Sequence, residues 1–299
     1  MSSDFQRNIT EFETTTVPDA EGSVQQLEWC GNDALILTWA NLVLLVGPSS
    51  DTIPYTYTGT VLAVTELDGV RIISSDVCDL IQKVPASTLS VFRPGSTSAA
   101  AILFDAWESF TRRSPKAEEN VRAIRPDLVK AVDECIDAAG REWEPYWQRR
   151  LLNAAKFGRG FLDFVNPTDF VNMGQTLKVL NAVRYYEVGI PLTYTQYNYA
   201  SPSHLIARLT SRNMHLLALQ ISGFLGLKPD AVLKHWAAAK IMRARGGDDE
   251  VCKAIVEKVE QVGGADVSYA EIAKKAWEVG RGGLATKVGT FILMKLTES

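Results

Sequence analysis

Residue types that could do chemistry are few in this chain, and their spacing keeps them apart. His204, His215 and His235 fall on three different expected helices. No HExxH and no His/Cys pair stands at ligand spacing, so the pattern points away from a bound metal. His235 sits beside Trp236 on a mostly apolar stretch and reads as a core or rim histidine. Asp248-Asp249-Glu250 directly precedes an expected helix over 251–262, where negative charge meets the positive end of the helix dipole. No GxxxxGK[ST] loop is present. Gly158-Arg159-Gly160 opens like a dinucleotide fingerprint, but Asp163 occupies the third glycine's place and a helix precedes it instead of a strand. Gly280-Arg281-Gly282-Gly283 reads as the cap closing the Trp277 helix. Without a GxSxG elbow, and with the histidines dispersed, no serine or cysteine has an evident base. No catalytic, cofactor-binding or metal-binding residue is assigned, and the chain is expected not to be an enzyme.

The aromatic and basic stretch 141–161 is the strongest alternative. Trp143, Tyr146, Trp147, Arg149, Arg150, Lys156 and Arg159 interleave as in proteins that stack and pair with single-stranded nucleic acid. On a helical wheel, however, Trp147, Leu151, Ala154 and Ala155 make a core face. Arg149, Arg150 and Lys156 then fall on the opposite, solvated side, with Glu142 and Glu144 offsetting their charge. A structural helix is the favoured reading, and a helical-repeat RNA-binding protein is the competing one. The four cysteines, Cys30, Cys78, Cys135 and Cys252, form no CxxC pair and are expected to be reduced thiols in a cytoplasmic protein.

The elements that must position these residues come in two kinds. Upstream of Arg93-Pro94-Gly95 apolar residues alternate, as in Leu35/Leu37, Val43/Leu45, Val61/Ala63 and Val70/Ile72, which is the period of strands. Seven strands are expected near 26–30, 34–39, 42–46, 53–57, 61–66, 70–74 and 77–82, after a polar stretch over 1–25. Asp68-Gly69 marks a hairpin whose residues tolerate positive φ. Downstream, apolar residues recur every three or four positions. Prolines at 115, 126, 145, 167, 202 and 229 mark helix starts, with Ser114, Asn166 and Ser201 as capping side chains and Ser268/Glu271 as a capping box. Glycines at 140, 158, 226, 246–247, 263–264 and 280 mark stops.

Nine or ten short helices are expected from Ser96 onward. Strands first and helices after exclude an alternating βαβ sheet. The expected fold class is β then α: the last blades of a β-propeller over 1–95, followed by an α-solenoid of helical hairpins over 96–299, with a globular helical bundle the alternative for the helices. Charge divides similarly. Residues 1–95 carry 4 basic and 12 acidic groups, while 96–299 carry 27 and 23. Neither part has the concentrated basic face of a nucleic-acid tracker. The N-terminus lacks the apolar core of a signal peptide, and the apolar run 34–47 is too short to span a bilayer. Asn8-Ile9-Thr10 matches a glycosylation sequon that matters only in a secreted chain.

Several runs resemble a known family. Gln26-Leu27-Glu28-Trp29-Cys30-Gly31-Asn32-Asp33-Ala34 and Leu67-Asp68-Gly69-Val70-Arg71-Ile72 look like the vacuolar protein sorting-associated protein 16 family. Arg112-Arg113-Ser114-Pro115-Lys116-Ala117-Glu118-Glu119-Asn120, Cys135-Ile136-Asp137-Ala138-Ala139-Gly140, Leu177-Lys178-Val179-Leu180-Asn181-Ala182-Val183-Arg184, Gly189-Ile190-Pro191-Leu192-Thr193 and His235-Trp236-Ala237 continue the match in order. The resemblance runs over about 5–286. It implies a propeller followed by a solenoid and a non-enzymatic role in the class C complexes HOPS and CORVET, which tether endosomal and vacuolar or lysosomal membranes before SNARE-mediated fusion. The partners it implies are an SM-family SNARE regulator and other propeller–solenoid subunits, with SNAREs and Rab GTPases met indirectly and no nucleic acid. Membrane association is then peripheral, through the complex. It also implies more propeller before Phe5 and more solenoid after Gly280-Arg281, including the segment that docks the SM-family subunit. Residues 287–299 do not continue it, and the chain is expected to be a fragment.

Overall fold

Alternating apolar residues pair into two antiparallel sheets in the computed structural model of the chain, which describes residues 13–14, 22–163, 166–263 and 267–297, with side chains through 291. Most of the polar stretch 1–25, including the sequon, lies outside the described residues, as does Gly264. The chain divides into two compact units, Met1–Gln196 and Tyr197–Ser299.

The first unit opens with β1 (Gln26–Cys30), β2 (Ala34–Thr38), β3 (Leu42–Val46) and β4 (Thr52–Thr56), which form a four-stranded meander in that order. A second sheet joins β5 (Leu62–Glu66), β6 (Gly69–Ile73) and β7 (Cys78–Ile81). Period-two alternation sends Ile36 and Val43 into a core shared with Val70 and Ile72 of the second sheet. Leu37, Leu44 and Val46 point to the opposite face and cluster with Trp39. Pro54 lies on β4 at the sheet edge, where its missing N–H breaks no ladder.

The Asp68-Gly69 hairpin is present, but its glycine serves a different purpose from the one expected. Neither residue has positive φ. A Cβ on Gly69 would stand 2.3 Å from the Ile81 carbonyl oxygen, so the residue permits close approach of β7.

The helices start at Ala86, ahead of Arg93-Pro94-Gly95. They are α1 (Ala86–Phe92), α2 (Ala99–Thr111), α3 (Lys116–Ala123), α4 (Leu128–Arg141), α5 (Pro145–Arg159), α6 (Thr168–Arg184), α7 (Tyr194–Ser211), α8 (His215–Phe224), α9 (Asp230–Arg243), α10 (Asp248–Val262), α11 (Tyr269–Glu278) and α12 (Gly282–Thr297). Several start without a proline, among them α2, α8, α10 and α11. α2 starts on Ser98, whose Oγ accepts the Ala101 N–H at 3.1 Å, whereas the seven-residue α1 follows Pro85.

Most expected starts coincide with helix openings, with local differences. Asn166 Oδ1 accepts the Thr168 N–H at 3.0 Å, but α3 has no side-chain cap from Ser114. Ser201 (φ 66°) is a non-helical kink inside α7, and Pro202 restarts the spiral. Ser268 Oγ accepts the Glu271 N–H at 3.4 Å, while the Glu271 carboxylate turns to Lys234.

Gly226, Gly263 and Gly280 take the left-handed conformation of helix stops. Gly140 and Gly158 are the penultimate residues of α4 and α5, so the helices end beside them as expected, but neither takes the left-handed conformation. Both lie within helices, and a Cβ would meet Met173 at 2.8 Å from Gly140, and Leu103 and Val132 at 2.9 Å from Gly158. They let α4 and α5 press against their neighbours.

Leu103, Leu128, Cys135, Leu151 and Ala155, all fully buried, centre the helical core of the first unit. Leu233, Ile255, Ile272 and Val288 centre that of the second.

Candidate functional site

A polar cluster in the first unit joins the β5–β6 hairpin to the loop between α6 and α7. That loop is built by local rules. Gly189 (φ 60°) turns the chain after α6, Ile190 is fully buried as its anchor, and Pro191 leads into Thr193. Thr193 and Gln196 form a reciprocal capping box at the start of α7. The Thr193 Oγ1 accepts the Gln196 N–H at 3.1 Å, and the Thr193 N–H donates to Gln196 Oε1 at 3.3 Å.

The hairpin supplies the complementary half. Arg71, almost fully buried on β6, grips both oxygens of Glu66, with Nε–Oε1 2.5 Å and Nη2–Oε2 2.8 Å. Its Nη2 also donates to the Pro191 carbonyl at 3.0 Å. This pairing with Glu66 raises the guanidinium's pKa further, so Arg71 is a permanent cation. Gln196 Nε2 donates to Glu66 Oε2 (2.6 Å) and to Asp68 Oδ1 (2.8 Å), and Thr193 Oγ1 donates to Asp68 Oδ2 (2.6 Å). Each carboxylate therefore holds a partner from the other side of the joint.

Arg184 and Arg141 extend the cluster along the helices. Arg184 Nε donates to the Leu192 carbonyl at 2.9 Å, and its guanidinium lies 4.1 Å from the Trp143 ring centre. Burial pushes its pKa down to about 10, which still leaves it charged near neutral pH. Arg141 Nη1 donates to Thr195 Oγ1 at 2.7 Å. The Thr193 hydroxyl does donate to the Asp68 carboxylate, but it also accepts the Gln196 N–H as the helix cap and is spent on the joint. The arrangement holds a hairpin against a helix start with charged hydrogen bonds, which suits a rigid joint better than a reaction centre.

The residues singled out from sequence are placed differently from one another. His204 lies on α7 by itself, but His215 and His235 meet, with Nε2···Nδ1 at 2.8 Å. Sequence separation hid that contact between the start of α8 and the middle of α9. Burial first, then His235 and Arg243, lowers the His215 pKa. No group of three or more metal-ligating side chains gathers among the described residues. Asp248 pairs with Arg281 (2.8 Å) and Asp249 with Lys287 (2.5 Å), and Arg281 also reaches the Gly246 carbonyl.

The reading of the 141–161 stretch needs one correction. Arg149 and Lys156 are exposed as expected, but Arg150 is not on a solvated face. It pairs with Glu108 and lies within 4.7–5.9 Å of the Phe104, Trp107, Tyr146 and Trp147 ring centres. Two rings of α2 and two of α5 box this guanidinium in with Glu108, and a wheel drawn for α5 alone cannot see the α2 half. Leu151, Ala154 and Ala155 are fully buried. The four cysteines are free thiols: Cys30 and Cys135 buried, Cys252 half-buried and Cys78 exposed.

The joint itself was missed in the sequence. The Thr193-x-x-Gln196 spacing was a usable signal for the helix start, but nothing local tied it to residues more than a hundred positions earlier.

Comparison with known proteins gives a consistent set of relatives. A family model described as "Vps16, N-terminal region" matches residues 1–172. The chain is 43% identical over 262 residues to Protein VACUOLELESS1 of Arabidopsis thaliana, covering 87% of this chain and 30% of that protein. It is 43% identical over 266 residues to the vacuolar protein sorting-associated protein 16 homolog of Dictyostelium discoideum, covering 88% and 32%. With the probable homolog of Schizosaccharomyces pombe it shares 35% identity over 291 residues, covering 97% and 34%. The chain thus spans about a third of the length of these relatives.

Proposed function

The chain belongs to the family of Vps16 N-terminal regions, and from that premise we propose that it is the interaction segment of a vacuolar protein sorting subunit, acting without catalysis. The observation that carries the reading is the extent of the similarity. Matches cover 87–97% of the chain, through both the strands and the helices. The architecture supports it. A four-stranded antiparallel meander has the form of a propeller blade, and sequential helices pack in pairs, as α4 does with α5 and α11 with α12. In this reading 1–95 closes a propeller and 96–299 begins a solenoid.

The wider assignment follows the family. The full-length protein works in the HOPS and CORVET tethering complexes, beside an SM-family SNARE regulator and other propeller–solenoid subunits. Among the described residues no helix is long and apolar enough to cross a membrane. Association with late-endosomal and vacuolar or lysosomal membranes runs, in this proposal, through the complex. Purification of the endogenous full-length protein, followed by mass spectrometry, tests it. Co-enrichment of the SM-family and propeller–solenoid subunits is the expected result, and a preparation repeatedly lacking them overturns the proposal.

A further inference from the structure

Beside the joint lies a cavity of about 320 Å3, at the small end of the range for ligand sites. Its wall carries three guanidiniums, Arg71, Arg141 and Arg184, together with Trp143 and the carboxylates of Asp68 and Asp79. These charges are not equivalent. Arg71 is committed to Glu66 and the Pro191 carbonyl. Asp68 accepts from Thr193 and Gln196, and Asp79 accepts from the Tyr57 hydroxyl at 3.2 Å. Arg141 donates to Thr195 and makes a longer, 3.5 Å contact with Asp137.

Arg184 stands apart. Trp143 covers the face of its guanidinium and the Leu192 carbonyl takes its Nε–H. Its Nη1 is buried with no hydrogen-bond partner among the described residues. Nor does it make an ion pair with any carboxylate of the described residues, although an isolated guanidinium in a partly dry setting is costly. Such a group, with its face stacked and a buried N–H donor left unsatisfied at the cavity wall, has hydrogen-bonding capacity to spare for a carboxylate or phosphate.

We propose that this cavity binds a single compact oxyanion, carboxylate or phosphate, held by Arg184 with Arg141 in support. The Trp143 stack fixes the plane of the fork, so the ligand meets an oriented donor. The committed carboxylates of Asp68 and Asp79 confine the anion to the Arg184 side of the wall. This site is independent of the sorting role and would stand if that role failed.

The test is titration of the purified full chain with sodium phosphate, and separately with sodium glutamate, replacing sodium chloride at constant ionic strength. Binding is read by calorimetry and by tryptophan emission. Saturable binding of phosphate alone, or of glutamate alone, identifies which oxyanion source the site takes. Arg184→Gln should weaken that binding about tenfold or more, and Arg184→Lys should restore part of it, since Lys keeps the charge without the fork. Arg141→Gln should weaken it a few-fold. Arg149→Gln, exposed on α5 and outside the cavity wall, should leave it unchanged. If Arg184→Gln melts without cooperativity, the Arg184→Lys and Arg141→Gln effects decide the question. No saturable binding of either anion to the wild-type chain overturns the proposal, as does equal binding by wild type and the folded Arg184 variants.

Discussion

Replacing Arg71 with methionine tests whether the hairpin–loop joint is held by its charged network. The substitution keeps most of the side chain's length and removes the guanidinium. Four contacts disappear at once: the two to Glu66, the one to the Pro191 carbonyl and a long one to the Cys78 sulfur at 4.0 Å. Removing one partner of a fully buried ion pair costs about 3–5 kcal/mol, largely because the other charge is left uncompensated. Here the two side chains retain 10% and 24% exposure, and Gln196 still donates to Glu66, so water and one amide soften the loss. A cost of roughly 2–4 kcal/mol follows. For a unit of this size that corresponds to a fall in Tm of roughly 5–15 °C. Glu66→Gln, which keeps the shape, should cost about 1–2 kcal/mol, and the double variant should show coupling of at least ~1 kcal/mol. Urea unfolding of the full chain followed by circular dichroism gives the energies, and hydrogen exchange over 191–196 reports the joint locally. An Arg71→Met variant within about 0.5 kcal/mol of wild type, with unchanged exchange over that loop, would refute the reasoning.

Four further outcomes follow from particular contacts. Gly158→Ala should destabilise the first unit by about 1–2 kcal/mol, since overpacking against Leu103 and Val132 exceeds the helix-propensity gain; Gly174→Ala, with nothing within 4 Å, should stabilise by about 0.5–1 kcal/mol. Equal effects on urea midpoints would contradict that contrast. A thiol reagent should label exposed Cys78 in the native chain and reach Cys30 and Cys135 only on unfolding. Burial, then Glu134, pushes the Cys135 thiol up to about 12, so the folded state holds its proton more tightly than the unfolded one. Stability from this group is complete below about 9 and is lost as pH rises from there to about 12, at no more than ~1.4 kcal/mol per pH unit. His215 shows the opposite sign: its lowered pKa makes its contribution complete above 6.5 and lost as pH falls through the folded value. An NMR titration should place its midpoint below 6.5, and His235→Ala should move it upward without restoring it fully, because burial is the larger cause. A midpoint at or above 6.5 would contradict the contact.

What could be read in the sequence was whatever depends on local period. The strands β1 to β7 fall within a residue or two of their expected runs, because successive side chains of a strand point to opposite faces of the sheet. Prolines placed the openings of α5 and α6 for the same local reason. Failures occurred where a residue answers to something distant. Gly140 and Gly158 look like left-handed stops along the chain, yet they are determined by Met173, Leu103 and Val132. Arg150 belongs on the wet side of its own helix and is captured by aromatic rings of α2. The joint is the clearest case. Arg71 and Pro191 are 120 positions apart, and neither carries any mark of the other. Candidate-site residues were thus the least readable part of the chain, since a docking contact is written in two places.

The proposed sorting role turns on delivery to the vacuole or lysosome. The direct measurement is cargo arrival and organelle fusion in cells depleted of the endogenous full-length protein, with re-expression of the wild-type gene as control. Stalled cargo and fragmented, unfused compartments, restored by re-expression, are the predicted result. Normal delivery and fusion in fully depleted cells would contradict the sorting role.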